Sequence, residues 1–164
     1  MKAIIAIDDT PMSTELLNAL LARQWPTNTQ VKVLTVLPPI RIPADGPQFE
    51  ETFNAIVNER KLRAGHFCER VRSRILTKDP HLMVHFDIRE GAPAAEIINA
   101  AAEWSADKIY VGCHNKDFSG NHPLGSVSQT VAIYAPCSVE IVRSKVKVQR
   151  KDRIRAAAGA VIES

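Results

Sequence analysis

The sequence predicts an α/β fold: an open, parallel, five-stranded sheet with helices on both faces. Three observations predict it. Five short apolar segments alternate strictly with segments of helical period, in the order β-α-β-α-β-α-β-α-β. The first of them, "AIIAI" at 3–7, is a continuous apolar run of the kind that suits a strand buried on both faces. The chain is also 45% apolar but only 5% aromatic, so its core is built from Ile, Val, Leu and Ala. A length of 164 residues is most simply one domain.

The elements follow in order. After the first strand come Asp8-Asp9-Thr10 and a helical segment from Pro11 to Trp25, with Leu16, Leu17, Leu20 and Leu21 on one face. Pro11 suits the first turn, and Asp9 or Thr10 is placed to cap it. The second strand is 31–37, followed by a proline-rich loop, "PPIRIPADGP". Residues 48–77 read as one long amphipathic helix, with Phe53, Ile56, Val57, Leu62, Phe67, Val71 and Ile75 near helical spacing. The third strand, 82–88, alternates with Leu82, Val84, Phe86 and Ile88 on one face, which predicts an outer strand with one wetter face. "GAPAAEIINAAAEW" is the third helix, with Pro93 near its start. The fourth strand is 108–112, the fourth helix Ser126 to Tyr134, and the fifth strand 138–142.

The stretch "GCHNKDFSGNHPLGSVSQTV", residues 112–131, leaves the fourth strand and enters the fourth helix. Open parallel sheets bind ligands outside the carboxyl ends of their strands, where the strand order reverses. The first N–H groups of a helix lack partners, and the helix dipole is positive there. Gly125 leaves room for a ligand against the backbone, and Ser126 and Ser128 add hydroxyls. A phosphate site is the chemistry this entry suits.

These segments resemble the universal stress protein family. "AIDDTPMS" is similar to its first strand and Asp-x-Ser/Thr turn. "REGAPAAEIINAAAEWSADKIYVGCHN" resembles its Gly-x-Pro helix and fourth strand, and "LGSVSQTVAIYAPCSVEIVR" its closing segment. The resemblance covers residues 1–144 and implies strand order 3-2-1-4-5, an adenine-nucleotide alpha-hydrolase-like fold. Residues 145–164 form a basic extension without a clear counterpart.

The resemblance also implies a ligand. Many members bind ATP through G-x-x-G-x9-G-[ST]; Gly112, Gly125 and Ser126 fit it, and Asn115 stands at the second glycine. Asparagine suits that position if positive φ is what it needs, and obstructs it if a phosphate must touch the backbone. By resemblance, Asp8 lies by adenine or ribose, Thr35 and Val36 line the adenine slot, Val111 packs beneath it, and the Gly91 N–H faces the ribose. The N–H groups of Gly125, Ser126 and Val127 meet the phosphates, with Thr10, His114 and Ser128 close by. Asp9 beside Asp8 repels a phosphate unless a metal, Mg or Mn, bridges them. ADP and AMP are the other ligands implied. The alternative is an interaction protein of the same fold that binds no nucleotide. Family members commonly pair their last strands, so a symmetric homodimer through 138–142 is expected, with Val139, Ile141, Val146 and Val148 beside the edge.

Other chemistry finds little support. Cys68, Cys113 and Cys137 form no C-x-x-C pair, and His114, Asp117 and His122 match no standard zinc spacing. Cys113 reads as an ordinary small residue and Lys116 as solvated. No G-x-S-x-G elbow or Ser-His-Asp arrangement occurs; slow ATP hydrolysis is the most that is expected. The net charge of +3 hides an uneven split, because 145–164 carries six basic against two acidic residues and the rest about −1. No interleaved aromatics or wide apolar face argue for nucleic acid or a membrane surface. The short apolar run at the start meets two aspartates and no cleavage site, so it reads as a strand of a cytoplasmic protein.

Overall fold

The computed structural model describes residues 1–40, 49–113 and 124–143. The strands are β1 (Lys2–Ala6), β2 (Gln30–Leu37), β3 (Met83–Glu90), β4 (Lys108–Cys113) and β5 (Ser138–Arg143). They alternate with α1 (Pro11–Leu21), α2 (Phe49–Lys78), α3 (Pro93–Trp104) and α4 (Ser126–Tyr134). All pairings are parallel, in the order β3-β2-β1-β4-β5. The expected fold and strand order are those observed.

The middle strand shows why the sheet is covered on both sides. Along β1 and the residue after it, Ala3, Ile5 and Ile7 pack with α1 and α2, while Ile4 and Ala6 pack with α3 and α4. The first layer holds Leu16, Leu17 and Leu20 of α1 with Cys68, Val71 and Ile75 of α2. The second holds Ile97, Ala100 and Ala101 of α3 with Val131 of α4. Ile4, Ile5 and Ile109 are fully buried, and burying each such side chain contributes about 1.5–3 kcal/mol. Small residues on α3 let it lie close to the sheet. Pro11 and Pro93 stand in the first turns of α1 and α3, where a missing N–H costs nothing.

Two expected core positions are solvent-exposed. Leu62 of α2 is 64% accessible. The inward stripe runs through Arg60, Ala64, Phe67, Cys68, Val71 and Ile75, and Leu62 falls off it because it stands five residues from both Val57 and Phe67. Phe86 of β3 is 43% accessible although Leu82 and Val84 are buried. β3 is the edge of the sheet, and α2 covers only part of its face.

α2 is long for this sheet. Its 30 residues span about 45 Å, whereas the eight residues of β2 or β3 span about 26 Å. Arg72 donates to the Val84 carbonyl, and Lys61 pairs with Glu90, the last residue of β3. The opening turns of α2 therefore project past the carboxyl ends of the strands and stand as a wall beside them. Residues 41–48, 114–123 and 144–164, with Val146 and Val148, lie outside the described residues.

Candidate functional site

A cleft of about 420 Å³ opens at the carboxyl ends of β1, β2 and β4. Its floor is Ile7, Thr35, Val36 and Val111. Met12 and Ser13 of α1 close one side, Pro93 and Ile97 of α3 and Val127 of α4 another. Arg60, Arg63, Ala64 and Phe67 of α2 form the remaining wall. The space lies where the order reverses: β1 runs on to β2 on one side, and β4 flanks it on the other.

The polar centre of the cleft is Asp8. Its Oδ1 accepts hydrogen bonds from the hydroxyls of Thr10 and Ser13, both at 2.6 Å. The Asp8 N–H donates back to Ser13 Oγ at 2.9 Å. Ser13 is buried, so this short ring of bonds fixes the carboxylate's direction from below. Thr10 occupies the N-cap position of α1 in extended conformation, yet its side chain makes no capping bond. The expected cap is thus half right: the residue is at the cap, but its hydroxyl serves the Asp8 carboxylate.

Thr35 is buried in the floor, and its hydroxyl is already engaged. It donates to the Ile7 carbonyl at 2.9 Å and accepts from Cys68 Sγ at 3.4 Å. Burial pushes the Cys68 thiol up from its ordinary range, against a smaller opposing effect of the Thr35 hydrogen bond. Thr35 therefore joins β1, β2 and α2 beneath the cleft and offers a ligand mainly its methyl face. Gly112 lines the cleft beside Met12; a Cβ there would stand 3.1 Å from Met12 Cγ.

The sequence-predicted residues fall into three groups. Asp8, Asp9, Thr35, Val36, Val111, Gly112 and Val127 line the cleft, with Thr10 bound to Asp8 at its rim. Gly125, Ser126 and Ser128 sit beside Val127 in the entry to α4. Gly125 is the N-cap residue, with φ −66° and ψ 156°, so its backbone makes no special demand for glycine. Among the described residues, a Cβ on Gly125 would meet only Ser128 Oγ, at 3.8 Å. The Ser128 hydroxyl donates to the Gly125 carbonyl at 3.0 Å and is turned into the helix. The third group is His114 and Asn115, outside the described residues.

Gly91 differs from expectation. Its N–H donates to the Leu37 carbonyl at 3.0 Å, which commits it to the backbone and not to a ribose. Gly91 lies between β3 and α3 with φ +148°, a conformation that side chains rarely adopt. Its role in the described structure is a turn.

Ser13, Arg60 and Arg63 were not among the expected site residues. The spacing Asp8 to Ser13 places a helix's first-turn serine back on the strand end, a signal readable from "DDTPMS". The arginines show themselves only once α2 is known to overhang the sheet.

Known proteins match both the sequence and the geometry. The universal stress protein family model matches residues 1–143. The chain belongs to that family. A universal stress protein of Methanothermobacter thermautotrophicus is 40% identical over 67 residues, covering 41% of this chain and 45% of that relative. The alignment thus spans less than half the length of that curated relative. Among solved structures, a hypothetical protein whose biochemical function was assigned from its structure superimposes with a TM-score of 0.72 at 22% identity, covering 88% of this chain and 96% of that one. Universal stress protein UspA from Lactobacillus plantarum gives 0.65 at 19% identity, covering 87% and 97%. A universal stress protein family protein from Arabidopsis thaliana, solved with AMP bound, gives 0.64 at 16%, covering 89% and 93%. At these identities the structural likeness speaks for the fold. A further neighbour was solved in complex with cAMP. Among the described residues no helix is long and apolar enough to cross a membrane.

Proposed function

We propose that this chain is an ATP-binding regulatory module of the stress response, with the nucleotide held across the carboxyl ends of β1 and β4. The observation that carries the reading is the Asp8 carboxylate, held by Ser13 and Thr10 at the rim of a cleft with an apolar floor. That pairing suits a flat apolar base with donor groups at its edge or on its sugar. The entry to α4, with Val127 on the cleft wall, supplies backbone N–H groups and a positive dipole end for phosphates. Two family structures solved with AMP and cAMP support an adenine nucleotide as the ligand class. Binding of ATP alters shape or partner affinity in this reading, and no chemical step is required.

A divalent metal fits this site only together with phosphates. Asp8 and Asp9 are exposed neighbours at the rim, and no group of three metal-ligating side chains forms among the described residues. Mg²⁺ commonly binds through one or two carboxylates plus substrate phosphates. Asp8 and Asp9 would hold it on that side, and it would supply positive charge between the acids and the phosphate chain.

The second reading is an interaction protein with the same fold and no nucleotide. Asn115 at the second motif glycine favours it. Purified protein separates the two. Bound nucleotide appears as excess absorbance near 260 nm and is identified by mass, and calorimetry gives the affinity of the stripped protein. Gly125→Val abolishes ATP binding while the protein stays folded, because among the described residues a Cβ there makes only an ordinary contact with Ser128 Oγ in the free protein, and it meets a ligand in the complex. ATP affinity unchanged in Gly125→Val removes the α4 entry as the phosphate site. No binding of ATP, ADP or AMP by the unmodified chain leaves the interaction protein.

A further inference from the structure

The stripe Arg60, Arg63, Ala64 and Phe67 forms the α2 wall of the cleft, and its character changes along its length. Ala64 and Phe67, level with the sheet, are small or apolar. Arg60 and Arg63, on the part of α2 nearest the overhang, are cations. Arg60 is half-buried and lines both this cleft and a smaller adjoining cavity of about 160 Å³ beneath Pro38 and Phe53. One of its N–H groups donates to the Pro38 carbonyl at 3.0 Å. A guanidinium carries five N–H donors, and among the described residues no carboxylate pairs with this one. Arg63 reaches the cleft from one turn on, and its partner Glu59 is an exposed neighbour on the same helix.

A half-buried arginine with no carboxylate partner among the described residues, facing a cleft, is suited to meet an anion. α4 enters on the opposite layer of the sheet from α2. An anion at Arg60 and Arg63 is therefore a different group from one at the α4 entry. We infer that Arg60 and Arg63 form a second anion subsite, and that the favoured ligand is an adenine nucleotide with a second phosphate away from its 5′ chain, the class of nucleoside bisphosphates. This rests on the adenine-nucleotide reading above. The wall then sets specificity within the ligand class: the floor takes the base, Asp8 takes a hydroxyl or amino group, and the two ends of the cleft take one anion each.

The test compares isomers with equal numbers of phosphates; the bisphosphate, with two phosphomonoesters, carries about one more negative charge at neutral pH than ADP, and the arginine variants separate that charge from the subsite. Adenosine 3′,5′-bisphosphate and ADP carry two phosphates each, on both sides of the ribose in the first and on one side in the second. Calorimetry on the full chain, stripped of nucleotide, measures AMP, ADP and the bisphosphate. The bisphosphate binds about tenfold more tightly than ADP, the worth of one charge-assisted hydrogen bond. In Arg60→Gln with Arg63→Gln the ratio of the two affinities falls to about one, and raised salt lowers it in the parent. Arg63→Gln alone, at an exposed position, reduces the ratio even if loss of the Pro38 contact harms the double variant. Equal binding of the two isomers by the parent overturns the inference while AMP binding preserves the nucleotide reading. A ratio unchanged in Arg63→Gln and in the folded double variant also overturns it. Failure of all three nucleotides to bind overturns both.

Discussion

Ser13→Ala is the substitution that most directly tests how the Asp8 carboxylate is held. Ser13 is 5% accessible, and its hydroxyl both donates to Asp8 Oδ1 and accepts from the Asp8 N–H. The first bond involves a carboxylate, worth about 1.5–3 kcal/mol, and the second is neutral, worth about 0.5–1.5 kcal/mol. Asp8 itself is exposed, so water takes over much of what is lost. The net cost is about 1–2 kcal/mol. For a chain of this size that lowers Tm by about 2–8 °C. With its direction no longer fixed, the carboxylate meets the ligand less well, and adenine-nucleotide affinity falls about tenfold, the equivalent of one hydrogen bond. Thr10→Ala is the comparison. Thr10 also donates to Asp8 Oδ1, but from a more exposed position, and its loss costs about 0.5 kcal/mol or less. Urea unfolding, thermal melts and calorimetry on the three proteins decide the matter. Ser13→Ala as stable as the parent, or no worse than Thr10→Ala, would refute the reasoning.

Three further outcomes are expected. Gly91→Ala destabilises by about 1–3 kcal/mol, because φ is +148° and the new Cβ stands 3.0 Å from Glu96 Cγ; an unchanged urea midpoint would contradict that backbone. Glu140 is held below the usual carboxylate range, first by its hydrogen bond from Arg23 and then by that from Lys108. Its stabilisation is therefore present at neutral pH and lost as pH falls through the lowered folded value, so Glu140→Gln lowers the unfolding free energy by about 0.5–1 kcal/mol at pH 7, and the gap to the parent closes in acid. The full chain and a version ending at Arg143 are both homodimers by light scattering, because β5 ends the described sheet and Ile133 and Tyr134 of α4 are exposed. Monomers in both at micromolar concentration refute pairing through β5, and a dimer in the full chain alone assigns it to residues 144–164.

The fold was legible because period and burial agree in this chain. Each helix buries most of its apolar residues on one stripe, and the elements alternate strictly, so element order alone confines the topology. The misreadings have a common origin. Leu62 and Phe86 are apolar residues at positions where one neighbouring layer ends, and a sequence does not show where a layer ends. Half of the site was legible for a similar reason. Asp8, Thr35, Val36, Val111 and Gly112 follow from lying near or just beyond the carboxyl ends of strands. Arg60 and Arg63 could not be found that way, because they reach the cleft only through the length of α2 relative to β2 and β3. The Gly91 turn was visible as a glycine, but only the bond to Leu37 shows what its N–H does.

The position of the cleft follows from topology more than from any one side chain. α1 and α2 cover one layer because the chain moves from β1 outward to β2 and β3. α3 and α4 cover the other because it then crosses to β4 and moves outward to β5. The two pairs of helices part at the boundary of β1 and β4, and the cleft opens at the strand ends there. Ile7 and Thr35 close the floor, with the Thr35 hydroxyl engaged by the Ile7 carbonyl. Sequence can therefore change the ligand without changing the fold. It does so at the rim: the acid pair Asp8-Asp9 on one side, the arginines of α2 on another, and the α4 entry at the third. Each of these belongs to a different crossover connection. Replacing one leaves the other two in place, which is why single substitutions at exposed rim positions such as Asp9 and Arg63 should alter what is bound while the melting profile of the sheet stays that of the parent.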